Sequence, residues 1–436
     1  MKIKEYFTTL HITKGLALAI CLSSFIYLEH YFDLNEYILM ALETILATSG
    51  LYLLISSNRP IWFFTGFFMG IFWLWWMAIS FIYYHLPYLV PLAIIFFGLF
   101  WGIVFAILEK IASFFAKLIE KKTKVIKYDL TIEIFRALVL LVLPFITPFG
   151  FDWFKPQLMF IDSVFGVEYW QYALIVITLG LVANTKRYIF LILLIFAIDL
   201  KHPIVYKPSF LKDISLVTTH EDVRQKWKRQ NQLKYTQNVI KAIDEAIKEN
   251  KKLIILPESV LPYFLNLEQS YLEQILQRSK KITIVVGSLY FKDKNNFRNS
   301  AYLIKDGDYT IANKVVLVPF GEANPLPSFM SKIVNKIFFD GAVDYKADSN
   351  YTYLKALDKD YKIAICYEGT NKKTFEDHPK YLIIISNNGW FVPSIEPTLQ
   401  KLLLKYYVKL YKTTVYHAIN ASKSYIITPH PEDTNE

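Results

Sequence analysis

From residue 13 to about residue 200 the chain is a succession of long apolar runs broken by short polar stretches; after residue 205 the runs shorten and charged residues return. A membrane-crossing helix needs ~20 mostly apolar residues to traverse ~30 Å of hydrocarbon. On that measure the first half predicts about seven spans, at 13 to 29, 37 to 56, 61 to 84, 87 to 109, 131 to 149, 167 to 184 and 187 to 200, the last one short. The second half predicts an alternation of elements. DISLVTT from residue 213 reads as a strand, 227 to 249 as a helix, KLIILPE as a buried strand, 266 to 279 as a helix and KITIVVGSLYF as a strand. AYLIKDGDYTIANKVVLV follows as a hairpin, KIAICYE and YLIIISNNGWF as buried strands, and 396 to 418 as an amphipathic helix. Continuous β-branched runs between helices indicate sheets buried on both faces, as in a layered α/β domain. The predicted architecture is a multi-span α-helical membrane domain, 1–202, followed by an α/β domain, 203–436, with the boundary near His202 and Pro203.

Composition agrees with that division: 54% hydrophobic residues exceeds what a soluble globule needs. The net charge of +10 does not point to nucleic acid, because many of the basic residues punctuate apolar segments instead of gathering on one face with aromatic stacking partners. With the N-terminus cytoplasmic, the inside loops hold Lys2 and Lys4, Arg59, then Lys117, Lys121, Lys122, Lys124 and Lys127, then Lys186 and Arg187. The outside loops hold little that is basic beyond Lys155, and the first is acidic at Glu29, Asp33 and Glu36. This is the asymmetry of the positive-inside rule. An odd number of crossings then puts everything after residue 200 outside, in the periplasm of a bacterium. The first segment also has the basic start and apolar middle of a signal peptide, but Ile20 stands where processing ahead of Cys21 wants a small residue, so Cys21 is read as a buried small hydrophobe. Two cysteines this far apart imply no disulfide framework.

Three apolar runs in the second half end on reactive side chains: LIILPES on Glu258, ANKVVLVPFGE on Lys314 and Glu322, and IAICYEG on Cys366. In layered α/β domains reactive groups collect where strands give way to loops. A lone cysteine in an apolar strand is usually inert core, but an ordinary thiol is only a few per cent ionised at neutral pH and becomes a nucleophile beside a base or a cation. Glu258 and Lys314 supply one of each. No clustered His and Cys spacing calls for a metal, and no cofactor is expected.

LPES, K-x-x-L-V-P-F-G-E and C-Y-E in this order resemble the nitrilase superfamily, whose domain is an αββα sandwich with a Glu, Lys and Cys triad. Joined to a membrane domain of this size, the chain resembles the apolipoprotein N-acyltransferase family. TGFFMGIFWLWWMAIS at 65 to 80 resembles that family's third membrane segment, GFDWF its periplasmic loop, and SNNGWF at 386 to 391 its S-N-D-x-W-F turn, with Asn388 in place of the commoner Asp. The resemblance implies Cys366 as nucleophile, Glu258 as general base and Lys314 as oxyanion stabiliser. It implies Glu322 and Glu368 as supporting carboxylates, orienting Lys314 or the incoming amine, and the Tyr367 N–H as a second oxyanion donor. The implied substrates are a phospholipid, attacked at its sn-1 ester, and the diacylglyceryl-cysteine amine of an apolipoprotein, with a thioester between the two steps. The enzyme would be a multi-pass protein of the bacterial inner membrane, working as a monomer within the lipid bilayer. Trp153 in the outer loop, Trp227, Asn387 and Trp390 are candidate substrate contacts, as are Phe329, Phe338 and Phe339 in the apolar segment after Glu322, which resembles a mobile arm at the membrane entrance.

The family's last membrane helix has no counterpart here; 399 to 412 is too short and charged to span, and is expected to rest at the interface as an amphipathic helix unless the membrane domain closes without it. Two other readings compete: a membrane-anchored amidase using the same triad on a small carbon–nitrogen substrate, and a non-catalytic membrane binding protein. The first needs only an anchor, and intact Glu258, Lys314 and Cys366 argue against the second.

Overall fold

The computed structural model describes residues 6–83, 85–124, 127–294, 296–319, 321–322 and 345–429. The chain divides into two compact units, one of 1–148 with 152–202, the other of 149–151 with 203–436.

The first unit is helical. Helices α1 (Thr9–Tyr31), α2 (Glu36–Ile55) and α3 (Arg59–Leu74) start where Thr8, Asn35 and Asn58 accept free N–H groups of the first turn, whereas α4 (Val90–Thr123) opens without a side-chain cap and carries Pro91 in its first turn. Among the described residues, four helical stretches are long and apolar enough to cross a membrane: Thr9–Tyr31, Glu36–Ile55, Arg59–Tyr83 and Pro87–Thr123. The third continues past α3 through a tighter turn, and the fourth includes all of α4. Helix α3 approaches α4 closely because Gly66 and Gly70 carry no side chain; a Cβ on either would come within 2.6 Å of the Trp101 or 2.5 Å of the Phe97 carbonyl oxygen. The buried Glu109 takes Arg59 at 2.7 Å and Arg136 at 2.9 Å.

The segments expected as the last three spans form shorter helices. They are α5 (Ile132–Leu140), α6 (Tyr169–Thr185) and a ten-residue tight helix, Tyr188–Ala197. Pro144 lies just beyond the end of α5, where a continuing helix would lose a hydrogen bond and clash with the preceding turn.

The second unit is a four-layer αββα sandwich. One sheet has six strands in the order β2 (Ile214–Leu216), β4 (Leu253–Ile255), β6 (Thr283–Asp293), β7 (Asn296–Lys305) and β8 (Asp308–Asn313), with β5 (Leu261–Phe264) against β6. The other runs β1 (Ile204–Tyr206), β13 (Tyr425–Thr428), β12 (Thr414–Asn420), β11 (Tyr381–Asn387), β10 (Lys359–Ile365) and β9 (Tyr353–Ala356), with β3 (Thr218–Thr219) on β12. Alternate residues of each sheet, including Leu253, Ile255 and Val285 from one and Ile363, Ile365, Ile383 and Ile385 from the other, share the central core. The opposite face of the six-stranded sheet, with Ile254, Ile284 and Val286, is covered by α7 (Gln232–Lys248) through Val239 and Ile243 and by α8 (Gln269–Ser279) through Leu272 and Ile275.

The stretch expected as one helix over 396 to 418 is instead a helix, α9 (Glu396–Tyr411), and then strand β12. Lys412 ends the helix in a left-handed conformation, φ 56°, after which TVYHAIN is buried at every position between β11 and β13. Nor does α9 lie at an interface. Leu399, Leu402, Leu403, Leu404 and Val408 have no exposed surface, and the helix packs on β12, β13 and the turn after β10.

Candidate active site

Glu258 sits just beyond β4, where Leu256 still donates its N–H to Val285 before the chain leaves the sheet. The next residue, Ser259, adopts φ 49°, so the turn is tight. Gly287 of β6 lies directly beneath it: a Cβ there would sit 2.5 Å from both the Pro257 carbonyl oxygen and the Ser259 nitrogen. The buried Lys226 donates to the Glu258 main-chain oxygen at 3.2 Å. Burial brings that ammonium down to about 8, against the charges of Glu258 and Glu221.

Lys314 follows β8, and its main-chain N–H extends the ladder onto the Asn299 carbonyl at 3.0 Å. Its side chain is 1% exposed. The Nζ lies 2.9 Å from Oε1 and 2.7 Å from Oε2 of Glu322, whose Oε2 also accepts the Val318 N–H. Burial alone would make this lysine shed its proton, but the charges of Glu322, Glu258 and Cys366 outweigh it and hold the group firmly as an ammonium.

Cys366 is the first residue beyond β10 and takes φ 55°, the left-handed region that a side chain ordinarily avoids. That geometry turns a strand sharply into the following helical turn, Cys366–Thr370. The thiol is free and half-buried. Burial pushes it well above the ordinary cysteine value and the Glu258 carboxylate adds to that; Lys314 and the Asn387 N–H, donated to the sulfur, pull the other way. Glu258, Lys314, Glu322 and Cys366, drawn from both sheets, thus act on one another within a single, partly buried cluster.

A family model for the integral membrane domain of apolipoprotein N-acyltransferase matches residues 9–201, and one for carbon-nitrogen hydrolase matches 223–407. The chain is 36% identical to the apolipoprotein N-acyltransferase of Wolinella succinogenes over 426 residues, 95% of this chain and 96% of that one. It is 36% identical to the Helicobacter hepaticus protein of the same name, covering 86% and 90% of the two chains, and 34% identical to that of Helicobacter pylori, covering 92% and 91%. The chain belongs to the apolipoprotein N-acyltransferase family.

Membership makes it a membrane protein and an enzyme of an acyltransferase family built on a carbon-nitrogen hydrolase domain. The other candidate residues fall in different places. Glu368 is buried, and its two carboxyl oxygens accept N–H groups from Val315 at 2.6 Å, Val316 at 2.9 Å and Ile365 at 2.7 Å, so its partners are main chain. The Tyr367 hydroxyl donates to the Gly150 carbonyl at 3.1 Å and its ring stacks on Phe151. Asn387 presents its main-chain N–H to the Cys366 sulfur, while its Oδ1 accepts from Asn420 at 2.7 Å and Gly389 at 3.2 Å. Trp390 is half-buried in the turn after β11, and Trp227 is 39% exposed at the end of a short helical turn. Trp153 belongs to the first unit, where it is buried against Trp76. Phe329, Phe338 and Phe339 lie outside the described residues.

Sequence reasoning passes over Asn299 and Lys226. The available signal for Asn299 is FRNSAYLI, in which three polar residues, Arg298 to Ser300, precede an apolar run.

Proposed function

We propose that the chain moves an acyl chain from a phospholipid, through a thioester on Cys366, to the α-amine of the diacylglyceryl-cysteine that begins an apolipoprotein. The observation that carries this reading is the half-buried thiol acted on together by the Glu258 carboxylate and the Lys314 ammonium. Because burial and Glu258 keep the resting thiol protonated, reaction requires a base at the moment of attack. Glu258 accepts the thiol proton as sulfur bonds to the ester carbonyl carbon. The carbonyl electron pair moves onto oxygen, where Lys314 and the Tyr367 N–H stabilise it. Lys314 acts only by charge, because Glu322 holds its proton in place. Collapse breaks the carbon–oxygen bond, and the proton passes from Glu258 to the departing lysophospholipid. The second stage repeats the sequence with the amine as attacker: its proton goes to Glu258, the carbon–sulfur bond breaks, and the thiolate takes the proton back.

In this reading the protein spans the bacterial inner membrane about seven times within 1–202 and works as a monomer; the charge asymmetry of the loops supports the orientation that puts 203–436 in the periplasm. Trp227, Asn387, Trp390, Phe329, Phe338 and Phe339 are the proposed substrate contacts. The amidase and non-catalytic readings are not favoured, since relatives bearing the acyltransferase name match both halves of the chain. The test is incubation of purified protein with a fluorescent phospholipid. A protein-bound adduct released by hydroxylamine is expected, and Cys366→Ala abolishes it. No adduct from the unaltered protein, or one that survives Cys366→Ala, overturns the proposal.

A further inference from the structure

Asn299 stands in β7 at the centre of the carboxylate and ammonium cluster. Its side chain is 5% exposed, and its Nδ2 donates to Glu258 Oε1 at 2.7 Å and to Glu322 Oε1 at 3.0 Å. A primary amide nitrogen carries two hydrogens, so each carboxylate receives one. The same Glu322 oxygen accepts the Lys314 ammonium, and the Asn299 carbonyl accepts the Lys314 main-chain N–H. One residue therefore touches the proposed base, the partner of the proposed oxyanion stabiliser and the backbone of that stabiliser.

The amide orientation follows from charge. Rotated by half a turn, its oxygen would face two carboxylates, an arrangement repulsive on both sides. As it stands, Oδ1 is buried without a hydrogen-bond partner among the described residues. Two like charges held close together repel each other, and a donor shared between them offsets that repulsion.

We propose that Asn299 is a positioning residue for acyl transfer, setting the separation of Glu258 and Glu322 through the two hydrogens of one amide. This rests on the function proposed above, and its test reads Cys366 in two ways, one of which needs no lipid. In a Cys21→Ser background, the rates of thioester formation from phospholipid and of Cys366 alkylation by iodoacetamide are compared for Asn299, Asn299→Asp and Asn299→Ala. Melting in detergent establishes that each variant is folded.

Asn299→Asp preserves size and shape but replaces the two donated hydrogens by a third carboxylate beside Glu258 and Glu322. The expected result is a fall of kcat for thioester formation on the order of 100-fold in both variants, with KM for phospholipid changed less than about threefold. Alkylation slows in parallel, by roughly tenfold or more. A residue that merely fills space tolerates the isosteric aspartate. Asn299→Asp retaining both rates within about threefold of the parent therefore overturns the proposal, as does unchanged alkylation in both variants. If the parent forms no thioester, the acyl-transfer reading falls, while the alkylation series still decides whether Asn299 governs the cluster.

Discussion

Glu368 illustrates how a single buried side chain holds two parts of the site together. Its oxygens collect N–H groups from Val315 and Val316, just after Lys314, and from Ile365, just before Cys366. Burial pushes its carboxyl up to about 7, while Lys314 and the three N–H bonds favour the ionised form. A carboxylate accepts on both oxygens, whereas a glutamine amide would turn an NH2 group toward at least one of these N–H donors. Glu368→Gln is therefore expected to lower thioester formation ~100-fold through displacement of the lysine and cysteine turns. It should also destabilise the protein by about 2 kcal/mol, read as a lower melting temperature in detergent. Activity within a few-fold of the parent would show that the turns hold their positions without it. The chemistry of Glu258, Lys314, Glu322 and Cys366 is legible in the chain because each residue ends an apolar run. The partners of Glu368 are not legible, because main-chain donors look alike in every sequence and only the folded register brings these three within reach.

Among the elements, β6 positions the base by what it omits. Gly287 faces the Pro257–Glu258–Ser259 turn, and the atoms that a Cβ would meet at 2.5 to 2.7 Å are all main chain, so no side-chain rotation can relieve the contact. Gly287→Ala is expected to displace Glu258 and reduce thioester formation by ~10-fold or more, with a smaller effect on Cys366 alkylation than Cys366→Ala, which removes the thiol. Unchanged kinetics would mean that the turn shifts without moving the carboxylate. The element pattern itself is read correctly where one period dominates, as in the buried runs that become β4, β6, β10 and β11. It misleads at 396 to 418, where apolar residues continue across the junction between α9 and β12. Hydrophobic spacing registers burial in both elements, and the change of period is marked only by the left-handed turn at Lys412.

At the scale of the whole molecule, the proposed topology makes a prediction independent of catalysis. In protein lacking Cys21 and Cys366, a new thiol at the exposed Lys122 and one at the exposed Gln274 should react with an impermeant reagent from opposite sides of the membrane. Reaction from the same side would overturn an odd number of crossings. The division into an apolar half and an α/β half was determined by the sequence alone, since the length and apolarity of a run belong to each segment whatever its neighbours do. So was the set of reactive side chains that end the strands. Only the tertiary structure decided that α9 is core and that Asn299, 41 positions from Glu258 in the chain, links it to Glu322. Burial of a helix depends on which sheet covers it, and a hydrogen bond between distant residues depends on the register of β7 against β6 and β8; both arise when strands pair, not within any one of them.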